Sequence, residues 1–178
     1  MSTIRHFLIA VIFLLVVSCA DESVCNTASG ALQGCWMTEL CAEDSGSWKK
    51  SVYAFYENGD MERSEYSYSE TQCTGSKEKV DLSTSDDITF RFSYREGGES
   101  ELQGLTATEI FIKSGNGSGE LRGNYNISVD RLCSSEGIRL GPAGVTLISQ
   151  ISITDPSGED PLAETLNLTD CLEKVDET

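Results

Sequence analysis

An all-β fold is what this sequence predicts: an antiparallel up-and-down meander of eight or nine strands forming a small barrel, with a two-sheet sandwich as the second choice. Three observations predict it. Short runs rich in Val, Ile, Thr, Tyr and Phe alternate apolar and polar residues, the pattern of a half-buried antiparallel strand. Clusters of Gly, Asn, Asp and Pro separate these runs at regular intervals. Beyond the N-terminal segment, no stretch carries the i, i+3, i+4 spacing of an amphipathic helix. The 178 residues suit one domain with a single core.

The elements follow in order. Leu32 to Glu39 reads as a first strand, with Leu32, Gly34, Trp36 and Thr38 on one face and Trp36 plugging one end of the core. Ser51–Tyr56 and Met61–Tyr68 flank Glu57-Asn58-Gly59-Asp60. Asn-Gly between two such runs signals a hairpin, since both residues tolerate positive φ. Lys77–Ser83 is a weaker strand. Asp87–Arg95 has Ile88, Phe90, Phe92 and Tyr94 on one face, and Gly97-Gly98-Glu99 is expected to begin a loop. Leu105–Ser114 is closed by Gly115–Gly119. Leu121–Asp130 alternates, with Leu121, Gly123, Tyr125, Ile127 and Val129 inward. Gly141-Pro142-Ala143-Gly144 breaks the chain, and Val145–Thr154 resumes it with Val145, Leu147, Ile151 and Ile153 on one face. Asp155–Pro161 is an acidic turn. Glu164–Thr169 is a last short run before Cys171 and a frayed tail.

Charge narrows the partners. The chain has 13 basic and 29 acidic side chains, a net charge of −16. Such an excess repels nucleic acid and a bare anionic lipid surface, and it keeps the surface solvated.

Residues 1–18 read as a cleaved export signal. Arg5 precedes an unbroken run of 11 apolar residues, Phe7–Val17, too short for a membrane-spanning helix of roughly 20 residues. Val16-Val17-Ser18-Cys19 resembles the lipobox of bacterial lipoproteins. The resemblance implies that Cys19 becomes the acylated first residue of the mature chain. Ala20 rather than Asp after Cys19 then implies a lipid anchor in the outer membrane. Cleavage after Ala20, using the small pair Ser18 and Ala20, is the alternative. Residues 19–31 form a short polar tether, and 32–178 the folded domain.

Gly34-Cys35-Trp36 resembles the Gly-x-Trp of the first strand in lipocalins and related calycin barrels. That resemblance implies an eight-stranded up-and-down barrel whose base is closed by the Trp, with a small apolar ligand inside. Two readings of the aromatic residues on the first hairpin stay open. Tyr53, Phe55, Tyr66 and Tyr68 are core and cross-strand packing, or they are the wall of a ligand pocket.

With Cys19 set apart, six cysteines remain. In an exported chain an even number predicts disulfides, here three with 15 connectivities. Cys41–Cys73 is favoured first, followed by Cys133–Cys171 and Cys25–Cys35.

The only histidine, His6, lies in the signal. The domain therefore lacks a Ser-His-Asp or Cys-His arrangement and His-based metal ligation. No carboxylate pair stands out as a glycosidase site. Lys113–Glu120 is rich in glycine but lacks the Gly-Lys-Ser/Thr ending of a phosphate loop. Asp155–Asp160 lacks the calcium-loop spacing. The expectation is a non-enzymatic outer-membrane lipoprotein with no cofactor or metal, binding a small apolar ligand. A structural or adhesive envelope domain acting through its surface is the alternative.

Overall fold

A computed structural model describes residues 25, 31–80, 91–114, 120–135, 138–141, 144–147 and 165–176. The signal, Cys19, most of the tether, Ile88, Phe90, Gly115–Gly119, Ile151, Ile153 and the acidic turn lie outside the described residues.

The described chain is all-β. Its strands are β1 (Gly34–Thr38), β2 (Ala42–Asp44), β3 (Ser47–Phe55), β4 (Asp60–Glu70), β5 (Thr74–Val80), β6 (Arg91–Leu102), β7 (Leu105–Ser114), β8 (Glu120–Ser128), β9 (Arg131–Ser134), β10 (Ile138–Gly141), β11 (Gly144–Leu147) and β12 (Leu172–Val175). Ten of them form one sheet in the order β2-β3-β1-β12-β9-β8-β7-β6-β4-β5, and β3 also pairs β4. That extra pairing closes eight strands, β1, β3, β4, β6, β7, β8, β9 and β12, into a barrel-like ring. Around the ring each strand lies beside the next in the chain, and every pairing is antiparallel. The up-and-down meander read from the sequence is therefore the architecture. Closure leaves the ring strands without open edges where they pair.

The period of two decides which side chains enter the ring. All eight ring strands contribute to one apolar cluster: Trp36, Tyr53, Phe55, Met61, Phe92, Tyr94, Ile110, Ile112, Tyr125, Leu132 and Leu172. Trp36, Tyr53, Phe55, Met61 and Ile112 are fully buried. Phe55 meets Tyr94 edge-on, with centroids 5.2 Å apart, the geometry that suits two ring quadrupoles. The Trp36 indole N–H donates to the Leu32 carbonyl at 2.7 Å. The hairpin β10–β11 packs into the same cluster through Ile138 and Leu140. Two details seat it. The Tyr53 hydroxyl donates to the Gly141 carbonyl at 2.7 Å. Gly123 on β8 has no room for a side chain, since a Cβ there would stand 2.8 Å from Ile138 and 2.6 Å from the Ser135 hydroxyl.

Several boundaries differ from expectation. The Asn58-Gly59 hairpin forms, but only Gly59 takes a positive φ, +86°. Asn58 instead accepts the Asp60 N–H through its side chain at 3.0 Å, an Asx turn that spares it the left-handed region. Gly97-Gly98 does not begin a loop: β6 runs through it with a register shift between Glu96 and Glu99, as a β-bulge allows. The turn comes at Gln103-Gly104, both at positive φ. Val129 is not inward. It occupies a hairpin turn at φ 58° and is 71% exposed. Of the run Glu164–Thr169, the described residues 165–169 make one isolated bridge, Leu166 to Ser135, rather than a strand. The stretch read as a frayed tail is β12, paired to β1 on one side and β9 on the other.

The three cysteine pairs favoured from the sequence stand bonded: Cys25–Cys35, Cys41–Cys73 and Cys133–Cys171. The last ties β9 to the residue preceding β12. Close by, Arg131 donates through Nη2 to Glu39 at 2.8 Å, and Glu39 N–H bonds the Cys171 carbonyl at 3.1 Å. Closure thus has a covalent and an ionic clamp.

Two outcomes are expected. Cys133→Ser/Cys171→Ser frees a loop of 38 residues, and urea unfolding loses about 4 kcal/mol on the chain-entropy account. A loss under about 1 kcal/mol contradicts the role of the bridge. The second outcome concerns acid. The hydrogen bond from Arg131 holds the Glu39 carboxyl below its usual range, against a smaller opposing effect of burial. A lowered folded pKa gives stability that is present above the unfolded value, about 4.3, and lost as pH falls through the folded one. Arg131 is 46% exposed, so Glu39→Gln is expected to cost about 0.5–1 kcal/mol at pH 7. That difference should close as pH falls below about 4.3, read from urea midpoints across the range.

Candidate functional site

The inward and outward faces of β3 and β4 carry different chemistry. Inward, beyond the apolar cluster, lies a polar network. Ser51, Tyr53, Arg63 and Glu65 share this face through the pairs Ser51–Glu65 and Tyr53–Arg63. Arg63 Nε donates to Ser51 Oγ at 2.9 Å, and its Nη2 to Glu65 Oε2 at 2.8 Å. Lys49 Nζ reaches the other Glu65 oxygen at 3.0 Å and Asp44 at 2.8 Å. The buried Thr38 hydroxyl accepts the Ser51 N–H at 3.2 Å. Arg63 and Glu65 keep only 7% and 10% of their side-chain exposure. Burial raises the Tyr53 hydroxyl far above its usual range, against the opposing Arg63 charge. Bonding to Asp44, then to Glu65, raises the Lys49 ammonium, and the Lys49 contact lowers Asp44.

Every buried side-chain polar atom among the described residues has a partner. The network therefore holds two charges inside a wall of the ring, and offers no unsatisfied group to a substrate. Its chemistry is that of a structural ion pair.

Outward, the same two strands floor a groove. Its lining includes the Cys25–Cys35 bridge, Met37, Val52, Ala54 and Val175, flanked by Tyr56, Glu62, Ser64 and Tyr66, and edged by Lys77, Lys79 and Asp176. The volume is about 420 Å³, within the roughly 300–1,000 Å³ of small-molecule sites. The register places this surface. Met37 lies beside Val52 and Val52 beside Ser64. Tyr66 faces Lys79, and Tyr68 faces Lys77. Cys25, Cys35 and Val52 are buried in a second apolar cluster, with Met37, Ala54, Tyr66 and Val175 packed against it. Lys77 Nζ stands 5.4 Å from the Tyr66 ring centroid, a cation–π distance. The Tyr56 hydroxyl donates to Glu62 at 3.2 Å. The Tyr68 hydroxyl contacts Met37 Sδ at 3.7 Å, and burial raises its pKa.

The four aromatic residues singled out from the sequence are thus not one wall. Tyr53 and Phe55 are fully buried inside the ring, whereas Tyr66 lines the outer groove and Tyr68 shares its outward face. A register of two separates them, and a list of aromatics along a hairpin does not carry that parity. Sequence reasoning missed Met37, Val52, Ala54 and Val175. Outward apolar residues at alternate positions on β1 and β3 were the available signal.

No group of His, Cys, Asp and Glu among the described residues is arranged to hold a metal ion. No described helix is long and apolar enough to cross a membrane. Comparison with known proteins finds no match: no family model, no curated protein and no solved structure.

Arg63→Met leaves Glu65 buried with only Lys49 beside it. A loss of about 2 kcal/mol in urea unfolding is expected, less than for a wholly unpaired charge because Lys49 still reaches Glu65, with more than half recovered in Arg63→Met/Glu65→Leu, because a half-compensated buried charge costs more than an absent pair. A double variant no more stable than the single contradicts this reading.

Proposed function

We propose that the protein is a non-enzymatic, lipid-anchored domain of the outer membrane that takes a small apolar ligand on the outside of its ring. The lipobox-like Val16-Val17-Ser18-Cys19 supports the anchor. The up-and-down ring and Gly34-Cys35-Trp36 support a lipocalin-like lineage for the domain. One observation moves the ligand outward: the ring is packed with its own side chains and the β10–β11 hairpin, while the concave apolar surface lies on the opposite face of β3 and β4.

The anchor and the groove fit together. Cys25 lines the groove and stands six residues after Cys19 in the sequence. Six residues reach at most about 20 Å. A groove so tethered works close to the bilayer, where apolar ligands concentrate. The surface-acting envelope domain stays as the second reading, favoured by the same packed interior.

Photo-crosslinking with an apolar diazirine probe tests the placement. Label is expected on Met37, Val52 or Tyr66, with loss of labelling in Ala54→Trp, which fills the floor from an outward position. Label on Tyr53, Phe55 or Ile112 places the ligand inside the ring and contradicts the proposal. No saturable label at all leaves the surface-acting reading.

A further inference from the structure

Lys77 and Lys79 stand out in a chain with 29 acidic and 13 basic side chains. Among the described residues, Arg63, Arg95, Arg122, Arg131 and Lys49 are each in an ion pair with a carboxylate. Lys50, Lys77, Lys79 and Lys113 appear in none of these pairs, and of the four it is Lys77 and Lys79 that line the groove. They are exposed. Glu78, between them, pairs in register with Ser67 and belongs to the other face. Two acids share the lining: Glu62, which accepts the Tyr56 hydroxyl, and Asp176, just beyond the end of β12. One edge of an apolar floor thus carries two ammonium groups, and the floor itself is Met37, Val52, Ala54, Val175 and the Cys25–Cys35 bridge.

This pairing of surfaces matches a molecule with a hydrocarbon chain and one anionic end. We infer that the groove binds a free long-chain carboxylate, its chain along Met37, Val52 and Val175 and its head between Lys77 and Lys79. The inference rests on the outer-groove reading above and adds the chemical class of the ligand. A groove of about 420 Å³ sits at the small end of ligand sites, which favours one chain over the two of a phospholipid. The Coulomb term is local. At the groove two ammonium groups stand on the edge where the head is placed; two carboxylates share the lining, Glu62, which accepts the Tyr56 hydroxyl, and Asp176 past the end of β12, while the other acids of the chain act through screened solvent. The aromatic faces of Tyr56 and Tyr66 border the chain and give an apolar body with a polar tip beside the head. No covalent step is involved.

Titration calorimetry with the full chain carrying Cys19→Ser, disulfides intact, tests the inference. The Cys19 substitution removes the protein's own acyl chains as competitors. The probes are dodecanoate, dodecanol and a two-chain phosphatidylglycerol presented in vesicles. Dodecanoate is expected to bind about tenfold more tightly than dodecanol, the scale of two partly exposed charge pairs. Lys77→Gln/Lys79→Gln should remove that tenfold and leave dodecanol unchanged. Both lysines are exposed, so the fold should survive, with unaltered circular dichroism as the check. Ala54→Trp should weaken both single-chain ligands. Equal affinity for acid and alcohol, or a lysine variant that still prefers the acid, overturns the head-group assignment and leaves the groove reading standing. Tighter binding of the phospholipid vesicles than of dodecanoate overturns the single-chain ligand. Failure of every probe to bind overturns the groove reading itself.

Discussion

Leu172–Val175 hydrogen-bonds to β1 along one edge and pairs β9 along the other. Four residues of chain thereby join the first and the last long-range halves of the sheet. Take them away and the ring opens into a curled sheet with two bare edges, each a template for association. The strand is too short and too charged to hold itself there by propensity. Its position is enforced from outside: by Cys133–Cys171 just before it, by Arg131 and Glu39 beside it, and by Leu172, fully buried in the common core. Each contributes a few kcal/mol or less, on the scale of the whole domain's net stability.

Closure has a second consequence. Eight strands bring enough inward side chains to fill the space they enclose, and here the β10–β11 hairpin adds Ile138 and Leu140. Polar residues that enter the ring do so as a paired set, Arg63 with Glu65 and Ser51. Among the described residues that interior is filled by the protein's own side chains. The outer face of β1, β3 and β4 is a different surface. The Cys25–Cys35 bridge and β5 fold up against it and leave a hollow whose floor is apolar and whose rim carries Lys77 and Lys79 with Glu62 and Asp176. The same sheet thus supplies a packed side and a hollowed side, sorted by alternation along each strand.

Much of this was legible in the residues. Strand period and turn chemistry yield the class and the meander, and the boundaries of β7 match those read from the sequence. Parity of the cysteines leads to three bridges, and the pairs favoured among the 15 connectivities are the ones that stand bonded. Other features are hidden for physical reasons. Gly97-Gly98 looks like a loop because glycine is permissive, yet flanking ladders carry the strand through as a bulge. Val129 looks inward by alternation, but a two-residue turn overrides the period. β12 is invisible because Leu-Glu-Lys-Val has no local signature, and only its two neighbours define it. The groove fails the same test. It is built from residues on β1, β3, β4, β5 and β12, and no stretch of sequence holds more than a few of them.

The central claim is that the ring is closed to ligand and its outer face is not. Crystals grown with a terminally brominated alkyl carboxylate test this most directly, through the anomalous signal of bromine. The account places the peak over Met37, Val52 and Val175, outside the sheet. A peak between Tyr53 and Ile112, inside the ring, contradicts it.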